Sequence, residues 1–329
     1  MDWGRGKYLV TGAGGFIGSH LVEELVKLGA KVRALAHYNS RNDWGAIELL
    51  PKEVRQELEV IVGDVQDPFA IRKSVQGCDI VFHLAALIAI PYSYIAPESY
   101  VNTNVKGTLN VLQACLDDGV EKVVHTSTSE AYGTAKYTPI DEKHLLQGQS
   151  PYSASKIAAD KIAESYYLSF GLPVTTIRPF NTYGPRQSAR AIIPTIISQI
   201  LNSSELKLGL LTPVRDLTYV RDTVAGFLKV AQSDRAVGEV INIGTGNGIA
   251  IGELAEKIIG LAGKDVRIVC DEQRVRPEKS EVMELICDNR KAKELIDWEP
   301  QYALEKGLAE TIEWVRGNLD LYKAGLYNV

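Results

Sequence analysis

Tyr152 and Lys156 stand four residues apart behind a proline, in Pro151-Tyr152-Ser153-Ala154-Ser155-Lys156. On a helix this spacing projects both side chains from one face. An ammonium beside a phenol favours the phenolate, which is the chemistry of proton transfer. Upstream, Thr126-Ser127-Thr128-Ser129-Glu130 follows Glu121-Lys122-Val123-Val124-His125, which reads as a short strand whose β-branched residues pack on both faces. Hydroxyls ending in a carboxylate at a strand end lie where an open parallel sheet binds its ligands. Thr128, Ser129, Glu130, Tyr152 and Lys156 are therefore the candidate catalytic set. A tyrosine–lysine pair alone is more often a solvated helix face, and a glutamate in such a place often only caps the next segment. The surrounding elements decide the matter.

Lys7-Tyr8-Leu9-Val10-Thr11 is a strand, and Gly12-Ala13-Gly14-Gly15-Phe16-Ile17-Gly18 opens a helix with Ile17, Leu21, Leu25 and Leu28 on one face. Gly12 permits the turn, Gly15 lets backbone approach a pyrophosphate, and Gly18 lets helix pack on sheet. The N–H groups at Phe16 and Ile17, at the helix start, complete a dinucleotide cradle. Residues 31–36 form the second strand, with no acid at its end to bind a ribose 2′-hydroxyl. With Arg41 nearby, the cofactor leans to NADP over NAD. The third strand, 58–62, ends at Asp64-Val65, where the carboxylate suits an adenine amino group. The fourth, 79–84, ends at Ala85-Ala86, small enough for a flat cofactor to pass; His83 reads as a packed core histidine. A helix is expected from Pro97 to Gly119, with Asn104 reaching the back of the site.

Strands alternating with helices, then a sixth strand at 173–178, give an α/β fold. It is a doubly wound parallel Rossmann sheet with a smaller C-terminal α/β substrate lobe. The expected division is 1–185 for the dinucleotide domain with 216–245 returning to it, and 186–215 plus 246–329 for the substrate lobe. At 329 residues with a net charge of -5, the chain buries a large core and offers no electrostatic footprint for nucleic acid. No apolar run spans a bilayer and the N-terminus carries no signal-peptide pattern, so the expected location is the cytoplasm. Cys78, Cys115, Cys270 and Cys287 are scattered with no metal-ligand spacing and are expected as buried thiols.

Taken together, Thr11-Gly12-x-x-Gly15-x-x-Gly18, Asp64-Val65, His83-Leu84-Ala85-Ala86, Tyr152-x-x-x-Lys156, Arg178-Pro179-x-Asn181-x-Tyr183-Gly184-Pro185-Arg186 and Arg276-Pro277 span essentially the whole chain. In these motifs it resembles the extended short-chain dehydrogenase/reductase family of nucleotide-sugar enzymes. The resemblance implies that Lys156 also holds the nicotinamide ribose, and that Asn181, Arg186, Arg215 and Arg276 contact the sugar nucleotide. Guanidinium forks suit a pyrophosphate. Thr128-Ser129-Glu130 is similar to the triplet of GDP-mannose 4,6-dehydratases, but decarboxylases of nucleotide-linked uronic acids also show it. The stretches Tyr38 to Gly45 and Arg276 to Glu281 look like 4,6-dehydratases of legionaminic-acid-type pathways, which act on an N-acetylglucosamine nucleotide for surface polysaccharides.

That likeness implies C4 oxidation with Tyr152 taking the hydroxyl proton, removal of the C5 proton by Glu130, loss of water from C6 and hydride return. Ser129 stands where some dehydratases have an acidic residue, which leaves the acid for the leaving group open. The alternatives are a uronic acid decarboxylase with Arg215 receiving the carboxylate, a 4-epimerase, and a non-catalytic dinucleotide-binding module. The family resemblance further implies a homodimer built on the helices at 98–118 and 151–170.

Overall fold

The computed structural model describes residues 2–323. Its strands are β1 (Lys7–Thr11), β2 (Lys31–His37), β3 (Leu58–Gly63), β4 (Ile80–His83), β5 (Lys122–Thr126), β6 (Val174–Pro179), β7 (Asn181–Tyr183), β8 (Glu205–Leu208), β9 (Val214–Tyr219), β10 (Val240–Ile243), β11 (Gly248–Ala250), β12 (Arg267–Cys270) and β13 (Glu284–Leu285). Seven form one parallel sheet in the order β10-β6-β5-β4-β1-β2-β3. β4, β5 and β6 are buried along their length except for Thr126, which fits strands covered on both faces by helices. The order reverses between β1 and β4, and such a reversal opens a crevice at the carboxyl ends of the strands.

One face of the sheet is covered by α1 (Phe16–Lys27), whose Leu21, Val22 and Leu25 pack with Val224, Phe227 and Val230 of a helix near the C-terminal lobe. Fully burying side chains of this size contributes about 1.5–3 kcal/mol each. The other face is covered by Pro68–Val75, α2 (Gly107–Asp118) and α3 (Pro151–Phe170), through Ile71, Val111, Leu112, Ala163 and Tyr166. The expected doubly wound α/β sheet is thus the observed one. The helix expected from Pro97 is not uniform: Val101–Lys106 widens into a π-helical turn before α2 begins. Such turns re-aim side chains, and this one carries Asn104.

The smaller lobe holds a second sheet, ordered β11-β9-β13, with β7 pairing β9. The return to the main sheet runs through α4 (Val220–Gln232) and β10. Residues 216–219 belong to β9, where Asp216 registers antiparallel with Gly248 of β11 and Leu217, Thr218 and Tyr219 pair parallel with β7, so they lie in the small sheet rather than returning to the large one. β7 follows β6 directly yet pairs β9, which carries the small sheet back to Asn181, ahead of the expected boundary at 185. Cys78, Cys115 and Cys287 are buried thiols, whereas Cys270, at the end of β12, is exposed.

Candidate active site

The glycine loop is a backbone device. Gly12 sits at φ +68, and a Cβ there would meet the Ala85 backbone nitrogen at 2.7 Å. A Cβ on Gly18 would lie 2.2 Å from the Gly12 carbonyl oxygen. Gly15 is the N-cap of α1 and contributes no side-chain cap, so the first N–H groups of this 12-residue helix stay available for an anion. Opposite the loop, Thr11 Oγ1 accepts from the backbone N–H groups of Leu84 and Ala85, both at 3.1 Å. This ties the end of β4 to the end of β1 and sets Ala85 beside Gly12. His83 is buried between Thr11 Oγ1 at 2.8 Å and Thr108 Oγ1 at 3.0 Å, and burial holds it neutral.

Val65 is buried and packs on Gly107, where a Cβ would meet its Cγ2 at 2.8 Å. Asp64 accepts from the Gln66 backbone at 2.9 Å, which shapes the turn after β3. Arg41 is exposed on the loop after β2; there Asn39 Oδ1 accepts from the Arg41 and Asp43 backbone N–H groups.

The position of Tyr152 is set by a cap. Ser150 and Ser153 form a reciprocal capping box around Pro151, starting α3 one residue before Tyr152. Tyr152, Lys156 and Asp160 follow at successive turns on the buried face. Thr128, itself the N-cap of the turn Ser129–Tyr132, stands near enough to the Tyr152 phenol for its hydroxyl to favour the ionised form. Ser129 is buried and Glu130 half-buried. The structure therefore brings Thr128, Glu130 and Tyr152 together at the carboxyl end of β5.

The electrostatics differ from expectation. The sequence reading has the ammonium lowering the phenol, but burial dominates and pushes Tyr152 above its ordinary value; the Thr128 hydroxyl works against that and the Glu130 carboxylate adds to it. Lys156 is drawn down by burial to about 8, with Asp160 opposing and Arg178 assisting. Its Nζ donates to the Thr126 carbonyl at 2.6 Å.

Behind this pair lies a polar group that sequence reasoning missed. The Asp160 carboxylate accepts from Ser127 Oγ at 2.5 Å, Arg178 Nη2 at 2.7 Å and His125 Nε2 at 3.0 Å. Arg178 also donates to Ser127 Oγ at 3.1 Å and lies 4.6 Å over the Tyr132 ring. The available signal was an aspartate one turn beyond Lys156. Asn104 also has a place: its Oδ1 accepts from Leu87 N at 2.8 Å and its Nδ2 donates to Ser155 Oγ at 2.9 Å, joining the β4 loop to α3.

On the other wall, Arg215 Nη2 lies 3.2 Å and Arg276 Nη1 3.5 Å from Glu281 Oε1. Burial draws Arg215 below its ordinary value, and the carboxylate opposing this most strongly is Glu130, ahead of Glu281. Arg215 and Arg276 thus converge on the side of the site where Glu130 stands. Asn181 is half-buried, and its Oδ1 has no protein partner among the described residues. Arg186 has other company. Its Nη2 reaches Glu23 Oε2 at 2.7 Å and His20 Nδ1 at 2.5 Å on α1, and its side chain is 6% exposed. That ion pair ties β7's following loop to α1 and sets Arg186 apart from the Arg215–Arg276 pair, contrary to the expected grouping of all three on substrate.

A model of the family described as GDP-mannose 4,6 dehydratase matches residues 9–311. The chain belongs to the GDP-mannose 4,6 dehydratase family. It is thereby an enzyme of the nucleotide-sugar dehydratase, epimerase and decarboxylase group. Similar proteins of this kind divide by reaction. A UDP-glucuronate 4-epimerase of Thermodesulfobacterium geofontis is 32% identical over 327 residues, covering 97% of this chain and 99% of that protein. A UDP-N-acetyl-alpha-D-glucosaminuronate decarboxylase of Bacillus cytotoxicus is 33% identical, covering 94% and 97%. Among solved structures, the dTDP-glucose 4,6-dehydratase DesIV of Streptomyces venezuelae, with NAD and TYD bound, matches at TM-score 0.87 and 31% identity, covering 96% and 99%.

Proposed function

We propose that this family member is a nucleotide-sugar 4,6-dehydratase acting on an N-acetylglucosamine-type sugar nucleotide, a cytoplasmic homodimer serving surface-polysaccharide synthesis. The observation that carries the reading is Glu130, a half-buried carboxylate whose charge is felt by both Tyr152 and Arg215. An epimerase needs only reversible oxidation and a turn of the sugar, and a uronate loses carbon dioxide once its C4 is a ketone. Elimination alone needs a separate base for a carbon-bound proton, and a carboxylate within the charge field of the tyrosine is suited to that task.

The cradle fits a nicotinamide dinucleotide. Gly12, Gly15, Gly18 and the N–H groups at Phe16 and Ile17 would hold its pyrophosphate, Asp64 and Val65 its adenine, Ala85 and Ala86 its passage, and Lys156 its nicotinamide ribose. When bound it supplies an acceptor that takes a hydride from C4 and gives it back to C6. That DesIV holds NAD and that Arg41 is exposed support NAD over the NADP expected from the sequence.

Tyr152 takes the proton of the sugar 4-hydroxyl, which Thr128 orients by a hydrogen bond. Burial holds the phenol above its ordinary value, so Lys156 must enter this step as an ammonium to favour the phenolate. With C4 a ketone, the C5 proton is acidic and Glu130 removes it. Glu130 passes that proton to the departing C6 hydroxyl through a water held by Ser129, and once the hydride has returned to C6 a solvent-derived proton is delivered to C5 while Tyr152 releases its own to solvent. Arg215, Arg276 and Asn181 bind the diphosphate side of the substrate.

The test is incubation with UDP- and GDP-linked N-acetylglucosamine and UDP-glucuronate, with mass analysis of the products. Loss of one water from an N-acetylglucosamine nucleotide supports the reading. Loss of carbon dioxide from the glucuronate, or a product of unchanged mass inverted at C4, would replace it.

A further inference from the structure

The buried group behind the tyrosine–lysine pair has no part in the reaction as described above. Asp160 is 6% exposed and Arg178 2% exposed, with His125 and Ser127 equally enclosed. Taking such charges out of water costs several kcal/mol per ion unless each is paired. The carboxylate is paired more than fully: His125 of β5, Ser127 just beyond its end and Arg178 of β6 donate to it at 3.0, 2.5 and 2.7 Å. Those bonds and the neighbouring cations hold it well below the usual carboxylate range, against burial. It is therefore an anion at neutral pH. One turn earlier on the same face of α3 stands Lys156, 4% exposed, whose Nζ hydrogen bond goes to a carbonyl. A carbonyl dipole alone does not balance a buried ammonium.

We propose that Asp160 is a positioning residue: it is the counter-ion that keeps the Lys156 side chain an ammonium beneath Tyr152, and Arg178, Ser127 and His125 fix where that negative charge sits. This rests on the reading of Tyr152 and Lys156 as the reactive pair. Asp160 acts through Lys156. The charge is divided, because Arg178 shares it from the far side and by itself disfavours a second cation nearby. The other groups facing this cluster are His83, its ring tilted 31° and 5.9 Å from that of His125, Tyr132 beneath Arg178, and Glu130 and Tyr100 on the Tyr152 side. Asp160 and Arg178 act on Lys156 with opposite sign, and the Lys156 charge in turn disfavours protonation of His83 and His125. Asp160 also slightly opposes ionisation of Tyr152, so turnover alone is an ambiguous readout and the lysine itself must be watched.

The experiment is NMR titration of 13Cε-lysine-labelled protein, with Lys156 assigned by its loss in Lys156→Arg. In the unaltered chain the Lys156 signal is expected to titrate near 8. In Asp160→Asn the midpoint falls by about one pH unit or more. In Arg178→Gln it rises. In Ser127→Ala, which removes one bond and no charge, it stays within a few tenths. Opposite shifts in the two charge variants are what a counter-ion role requires. A midpoint unmoved in Asp160→Asn, or shifts of the same sign in both, would overturn the proposal. If Asp160→Asn does not fold, the upward shift in Arg178→Gln decides alone, and its absence would count against the idea. No substrate or cofactor is needed, so the outcome stands apart from the dehydratase reading, whose failure would show as no water loss from any sugar nucleotide.

Discussion

The two walls of the cleft are built from different materials. The wall at β1 and α1 is backbone: Gly12, Gly15 and Gly18 hold it open because a single methyl would strike main-chain atoms at 2.7 Å or less at Gly12 and Gly18. The wall at β9 and the 276–281 segment is side chain: Arg215, Arg276 and Glu281 balance one another, with Glu130 facing them. Backbone that cannot admit a Cβ constrains residue type strictly. Long charged side chains can exchange partners, and their worth depends on what enters. This contrast agrees with the comparisons: similar chains share architecture across nearly their whole length while dividing into epimerases, decarboxylases and dehydratases.

The largest expected effect lies between the walls. Tyr152→Phe is predicted to lower kcat by about 10²–10⁴-fold while cofactor content, measured on released dinucleotide, is unchanged. A loss of cofactor in that variant would mean the tyrosine belongs to the binding wall.

Gly18→Ala tests the backbone wall. With a Cβ 2.2 Å from the Gly12 carbonyl oxygen, the loop must shift at a cost of about 1–3 kcal/mol. Dinucleotide affinity by calorimetry should fall about ten- to hundredfold, and a variant binding normally would refute the account of that wall. Arg276→Ala tests the other. The KM for the sugar nucleotide should rise about tenfold with kcat nearly unchanged, since a charge-assisted hydrogen bond contributes about 1.5–3 kcal/mol. A selective fall in kcat would put Arg276 in the chemistry instead.

The smallest effect concerns the tie between β7 and α1. Burial and the Arg186 guanidinium beside it lower His20 to about 3, and its ring accepts from Arg186 while donating to the Pro185 carbonyl. The folded value lies below the unfolded one, so this contribution is complete above about 6.5 and is lost as pH falls from there towards about 3. The slope is at most about 1.4 kcal/mol per pH unit. His20→Gln should flatten urea-melt stability between pH 6 and about 4; an unchanged slope would assign the acid sensitivity elsewhere.

Legibility followed the same division. The strands of the main sheet were readable to within a residue or so, because their apolar runs and the glycine turn are local signals. The tyrosine–lysine pair and the Thr128-Ser129-Glu130 triplet were readable because they lie at the ends of those local elements. Arg186 was misgrouped because its motif does not reveal that Arg186 itself takes φ +67, or that its side chain turns to Glu23 and His20 of α1. The assignment of 216–219 failed because strand pairing between β9, β11 and β13 is a long-range choice. Asp160 went unnoticed because its partners, His125, Ser127 and Arg178, come from two other strands. The sign of the Tyr152 shift was missed because enclosure is not visible in a spacing.

The central claim is that Glu130 removes a carbon-bound proton. Its most direct test is the reaction of UDP- or GDP-N-acetylglucosamine in deuterated water, followed by proton NMR at C5 in the unaltered enzyme and in Glu130→Gln. The account predicts a 4-keto-6-deoxy product carrying deuterium at C5 from the unaltered enzyme, and neither elimination nor C5 exchange in the variant. Full elimination with deuterium still entering C5 in Glu130→Gln would contradict it.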